Sequence, residues 1–138
     1  MKTVPQFLTL EAFLELPDTK PASQFINGEI LQKPMPQGEH SRLQAKLCAG
    51  INQTTEADKI AYAFPELRCT FVEQSLNPDV AVFRWEHIPR TASGRIENRF
   101  FIPPDWSIEI LSPGQSQMRV LGKSIALLKT WHRAGLAG

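Results

Sequence analysis

The sequence predicts a single mixed α/β domain built around a central sheet, and three observations lead to it. An Asn-Gly step sits between short apolar runs at 25–31, which is a hairpin signal. A long stretch from Glu39 to about Thr55 repeats apolar residues every four positions, which is a helix signal. Several short apolar runs bounded by proline follow, which are strand signals. Helices and strands interspersed in this way pack as layers over one sheet. The 138 residues are enough for one domain with its own core, and no repeat, low-complexity segment or linker divides them.

Taken in order, Thr9-Leu10-Glu11-Ala12-Phe13-Leu14-Glu15-Leu16 reads as a short helix that Thr9 caps and Pro17 stops. After a loop from Asp18 to Ser23, Phe25-Ile26-Asn27-Gly28-Glu29-Ile30-Leu31 reads as a tight hairpin ended by Pro34-Met35-Pro36. In the long helix, Leu43, Leu47 and Ile51 are expected to form one buried face with Cys48, and His40 lies on that face one turn earlier. Tyr62 to Phe64 and Leu67 to Val72 are expected strands separated by Pro65. Pro78 opens the strand Asp79-Val80-Ala81-Val82-Phe83, a position where proline is tolerated. Arg84 to Pro104 shows little periodicity and is expected as a long connection, the kind that tends to carry function. Trp106 to Leu111 is the next strand, broken by Ser112-Pro113-Gly114, and Gln117 to about Arg133 the last helix, weakened by Gly122.

Composition narrows the function classes. A net charge of +1 and a pI of 7.8 exclude a domain that is basic overall, so any nucleic-acid binding must come from a local patch. Cys48 and Cys69 have no metal-finger spacing, and His40, His87 and His132 are too scattered for a zinc motif; the cysteines read as small apolar residues of a reducing compartment. No stretch is apolar enough to span a bilayer, and the Met1 to Gln6 start does not look like a signal peptide, so the expectation is a cytoplasmic protein with no membrane partner. There is no phosphate-binding glycine loop, no GxSxG and no GxGxxG after a strand.

Glu109 stands between two isoleucines in an apolar strand. A carboxylate there is either solvated at a sheet edge or held by a partner, because burying an unpaired charge is costly. Asp79 opens the other apolar strand, where it suits a turn aspartate as well as a ligand. If the two strands are neighbours, both carboxylates can face one way and form the minimum site for Mg²⁺ or Mn²⁺. Between the strands, Arg84, His87, Arg90, Arg95 and Arg99 outnumber Glu86 and Glu97. The four arginines are candidates for phosphate contacts, with a solvated polar loop as the alternative.

Pro78-Asp79 followed by the strand with Glu109 is similar to the PD-(D/E)XK nuclease superfamily. Within it the chain resembles the bacterial restriction-endonuclease-like family called Uma-two. Asn27-Gly28-Glu29-Ile30, Glu39-His40-Ser41, Asn77-Pro78-Asp79-Val80-Ala81-Val82, Ile108-Glu109-Ile110-Leu111-Ser112-Pro113 and a lysine in the next helix, Lys123, carry the resemblance in order. It implies a restriction-endonuclease-like mixed β-sheet flanked by helices and an endonuclease that hydrolyses DNA with Mg²⁺ or Mn²⁺. Asp79 and Glu109 would be its metal ligands, Glu29 a third acidic group, and Lys123 the lysine that holds or polarises the attacking water. His40 would sit near the site.

Two departures stand out. Leu111 occupies the place where E-X-K would put a lysine, so Lys123 is the replacement. From about Ser124 the chain leaves the family pattern, and residues 124–138 are expected to end a C-terminally truncated domain 1–138 that lacks the final strand. A sheet without that strand has an open edge, which invites a homodimer. Two alternatives to an active nuclease follow: a catalytically inactive nucleic-acid-binding or regulatory module of the same fold, and a structural oligomerisation domain.

Overall fold

The computed structural model describes residues 8–111. The first helix, α1 (Leu10–Glu15), starts where Thr9 Oγ1 accepts the Ala12 N–H at 3.1 Å, and it buries Phe13. Strands β1 (Ser23–Ile26) and β2 (Glu29–Gln32) pair through the two-residue turn Asn27-Gly28, whose φ values of 52° and 80° explain why an Asn-Gly pair is needed there. Helix α2 (Gly38–Thr55) follows, then β3 (Ala61–Pro65), β4 (Cys69–Phe71), β5 (Gln74–Leu76) and β6 (Val80–Arg84). A 3₁₀ turn at Trp85–His87 leads into the connection, and β7 (Trp106–Ile108) closes the described chain.

The α/β class is as expected, but the sheet is in two parts. One runs β2-β1-β5-β4 and the other β3-β6-β7, with every strand pair among the described residues antiparallel; an isolated parallel bridge joins Cys69 and Phe100. Ile26, Phe71, Leu76, Ala81, Phe83 and Phe100 form a core cluster shared by strands of both sheets, into which Tyr62, Phe64 and Trp85 pack. Phe64, Phe83 and Phe100 meet edge to face, with centroids 5.0 to 6.0 Å apart. The other face of the three-stranded sheet carries Ala63, Val80 and Val82 against Cys48 of α2, with Leu47, Ile51 and Ile108 around them. β6 is therefore apolar at four successive positions because both of its faces are covered.

Sequence periodicity misplaces the buried face of α2 by part of a turn. Leu43 is 47% exposed, and the face that turns inward carries His40, Gln44, Leu47, Cys48, Ile51 and Asn52. Asn52 decides the rotation. Its amide donates to Ala63 O at 3.1 Å and accepts from Ala63 N at 2.7 Å, so it closes the edge of β3 that β6 does not use. Cys48 and Cys69 are buried and not joined in a disulfide, and burial pushes the Cys48 thiol up from its usual pKa. No helix among the described residues is long and apolar enough to cross a membrane.

Candidate active site

Asp79 lies immediately before β6 and is 1% exposed. A buried carboxylate needs partners, and Asp79 has three. Oδ1 accepts the Lys33 ammonium at 2.8 Å; Oδ2 accepts the Ile110 backbone N–H at 2.8 Å and lies 3.2 Å from His40 Nε2. Burial alone would push this carboxyl upward, but the charge and hydrogen bond of Lys33, the Ile110 N–H and the nearby His40 together hold it below the usual carboxylate range.

Lys33 follows β2 by one residue and reaches inward, with its side chain 9% exposed. Its Nζ donates to Asn77 O at 2.6 Å and to Glu66 Oε2 at 2.8 Å as well as to Asp79. Burial pulls the ammonium down, yet the two carboxylates outweigh it and its pKa is raised. Gln44, one turn after His40 on α2, donates to Asp79 O at 2.7 Å and Glu66 Oε2 at 2.9 Å. Lys33, His40, Ser41, Gln44, Glu66 and Asp79 line a pocket of about 190 Å³. The buried His40 Nδ1 has no hydrogen-bond partner among the described residues.

Glu109 comes one residue after β7, which pairs with β6 through Val80↔Ile108 and Ala81↔Ser107. Carried one step further, that register sets Glu109 opposite Asp79, and the Ile110 N–H bond shows the chain still running beside Asp79 there. Glu109 is partly buried. The structure thus brings Asp79, Glu109 and His40 to one end of the three-stranded sheet.

Glu29 does not join them. It takes the exposed first position of β2, opposite Ile26 at the hairpin turn, and the described residues contain no group of three His, Cys, Asp or Glu side chains able to hold a metal. Lys123 lies outside the described residues, as do the expected last helix and 124–138. Arg84, Arg90, Arg95 and Arg99 are all exposed. The connection that carries them is folded back on itself by Thr91 N to Arg95 O, Gly94 N to Thr91 O and Glu97 N to Pro89 O bonds, and Arg90 stacks on Trp85 at 5.1 Å. Arg84 stands at the far end of β6, about 17 Å from Asp79 along an extended strand. Trp106, at the start of β7, is exposed.

Sequence reasoning missed Lys33, Gln44 and Glu66. Two signals were available. Leu31 packs against the core, so alternation places Lys33 on the same inward side of β2. Gln44 falls midway between His40 and the buried Cys48 at four-residue steps. Glu66 has no such signal, because its place depends on a left-handed backbone at φ 49° just after β3.

A family model described as Uma2, "Putative restriction endonuclease", matches residues 10–129. The chain belongs to the Uma2 family. Its fold is similar to a crystal structure described as "a putative nuclease belonging to DUF820" from Anabaena variabilis, at 52% sequence identity and a TM-score of 0.86; the match covers 89% of this chain and 69% of that one. No curated protein matches the chain. The Uma2 match spans both Asp79 and Glu109, and the Lys33–Asp79–His40 pocket falls inside it.

Proposed function

We propose that this Uma2 domain is a Mg²⁺-dependent endodeoxyribonuclease, Mn²⁺ serving as well. The observation that carries the reading is Asp79, a buried ionised carboxylate at a pocket wall, facing the strand end that bears Glu109. The donor set suits Mg²⁺, which is commonly held by one or two carboxylates, waters and substrate phosphate oxygens rather than by an all-protein cage. Among the described residues no group of three His, Cys, Asp or Glu side chains offers the three or four protein ligands that zinc takes. Asp79 and Glu109 would hold the ion, which when bound relieves charge on the phosphate and lowers the pKa of water.

The rest is the work of the chain. The Ile110 N–H and His40 fix the orientation of the Asp79 carboxylate, and Gln44 pins its backbone. Lys123 remains the resemblance's candidate for polarising water. DNA is the proposed partner, with the exposed arginines Arg84, Arg90, Arg95 and Arg99 available for phosphate contacts.

One observation favours a second reading, an inactive DNA-binding or regulatory module: Lys33, His40 and Ile110 already engage both oxygens of Asp79. Plasmid cleavage with Mg²⁺ separates the two. The nuclease reading expects cleavage by the wild type and a fall of at least about 100-fold in Asp79→Ala and Glu109→Gln, the scale of losing a group central to transition-state charge. It also expects Mn²⁺ to raise the melting temperature of the wild type but not of Asp79→Ala. DNA binding without cleavage would favour the inactive module.

A further inference from the structure

An ammonium has three N–H donors, and all three of those on Lys33 are taken, by Asn77 O, Glu66 Oε2 and Asp79 Oδ1. A carboxylate accepts at about four lone-pair positions. Asp79 uses three of them, two on Oδ2 and one on Oδ1, so the remaining position lies on the oxygen that Lys33 holds. A divalent ion that binds Asp79 there arrives within a few ångströms of a buried ammonium. Like charges that close in a poorly solvated site repel strongly.

The relief is built into the site. Lys33 can release Asp79 and keep Asn77 O and Glu66 Oε2, neither of which belongs to the proposed metal-ligand pair. Its third N–H then turns into the pocket of about 190 Å³ that Lys33 and Asp79 both line. A water takes about 30 Å³ of liquid volume, so the pocket has room for a phosphate group and several waters. The strand that bears Glu109 offers no cation of its own, since the residue two positions on is Leu111.

We propose that Lys33 is a substrate-contacting residue of this site, and that its ammonium passes from Asp79 Oδ1 to an oxygen of the bound phosphodiester when a divalent ion takes Asp79. This rests on the nuclease reading above. The ammonium does not change protonation state; it exchanges one anionic partner for another. In the metal-free protein it is the counter-ion of Asp79, and in the loaded site it contributes the positive charge that Leu111 cannot.

The test uses the full chain with Lys33→Met, and with Lys33→Gln, whose amide N–H groups still serve the Asp79 and Glu66 carboxylates if the Met variant fails to fold. Mn²⁺ binding without DNA is measured by calorimetry, and Mg²⁺-dependent plasmid cleavage separately. Removing the competing charge is expected to tighten Mn²⁺ by about tenfold, while cleavage falls by about 100-fold or more. Tighter Mn²⁺ with cleavage kept at the wild-type rate overturns the phosphate contact. Lost cleavage with unchanged Mn²⁺ affinity overturns the exchange. A wild-type chain that neither binds Mn²⁺ nor cleaves sinks the nuclease reading before any variant is made, and this proposal with it, so the two failures are told apart.

Discussion

Both ends of β6 present an aspartate joined to a histidine and a backbone N–H. At the start, Asp79 meets His40 and the Ile110 N–H; at the finish, Asp105 accepts the Arg84 N–H at 2.7 Å and meets His87 Nδ1 at 2.9 Å. The partner types are the same and the surroundings are not. The His87 side chain is 42% exposed and water can solvate it, whereas Asp79 and His40 are shut away with the buried Lys33 beside Asp79. The same motif is a surface clasp at one end and a charged cluster with a pocket at the other. Burial and the presence of Lys33, not the Asp-His pairing, distinguish the candidate site.

That contrast can be broken most directly at the two aspartates. Asp79→Asn is expected to destabilise the fold by about 3 kcal/mol, since it leaves a buried ammonium short of its main counter-ion. Asp105→Asn, at an open pair, is expected to cost less than about 1 kcal/mol. Urea unfolding of both variants measures the difference, and equal losses would mean that burial is not what separates the two ends.

The histidines give a smaller version of the same comparison. His40→Ala removes a buried side chain and one of Asp79's partners, at an expected cost of about 1–3 kcal/mol. His87→Ala is expected to fall within about 0.5 kcal/mol, the range of ordinary surface changes. A His87 variant as unstable as the His40 variant would show that the surface clasp holds the turn after β6 more firmly than its exposure implies.

Acid titration sharpens the contrast with the least expected change. The folded pKa of Asp79 is depressed, so the unfolded chain takes up that proton first as pH falls. The stability Asp79 contributes is whole above the unfolded value of about 4 and drains away below it, towards the lower folded value. The gap between wild type and Asp79→Asn should therefore narrow as pH is lowered from 5 to about 2.5. A gap that stays constant over that window would remove the depressed carboxyl from the account. Lys33 works in the other direction: its raised pKa makes its contribution complete below about 10.4, to be lost as pH climbs through the higher folded value.

Local chemistry in the sequence was enough for the hairpin at Asn27-Gly28, the span of α2 and the strand after Pro78. It failed where placement depends on a distant partner. β5 has Gln74 and Ser75 in a short run with no alternation, yet it is buried because Ser75 Oγ meets Thr70 Oγ1 at 2.9 Å and accepts from Arg68 at 2.8 Å. Leu43 obeys the helical period but lies outside, because Asn52 turns α2 to serve the edge of β3. Lys33 resembles any polar residue at a hairpin's end until Asp79, 46 positions later, folds against it. The site is made of contacts between segments far apart in the chain, and short-range patterns do not record those.

Glu66 has a practical consequence for anyone who wants a hardier version of this domain. Its backbone at φ 49° is one that glycine adopts without cost, so Glu66→Gly would relieve backbone strain worth about 1 kcal/mol. The side chain that would be lost is the acceptor shared by Lys33 and Gln44, and the anchor left to Lys33 once Asp79 is engaged elsewhere. The relieved strain and the lost partner of a buried ammonium oppose each other, so a melting-temperature screen at this position reads only their difference and says nothing of the charge cluster it takes apart.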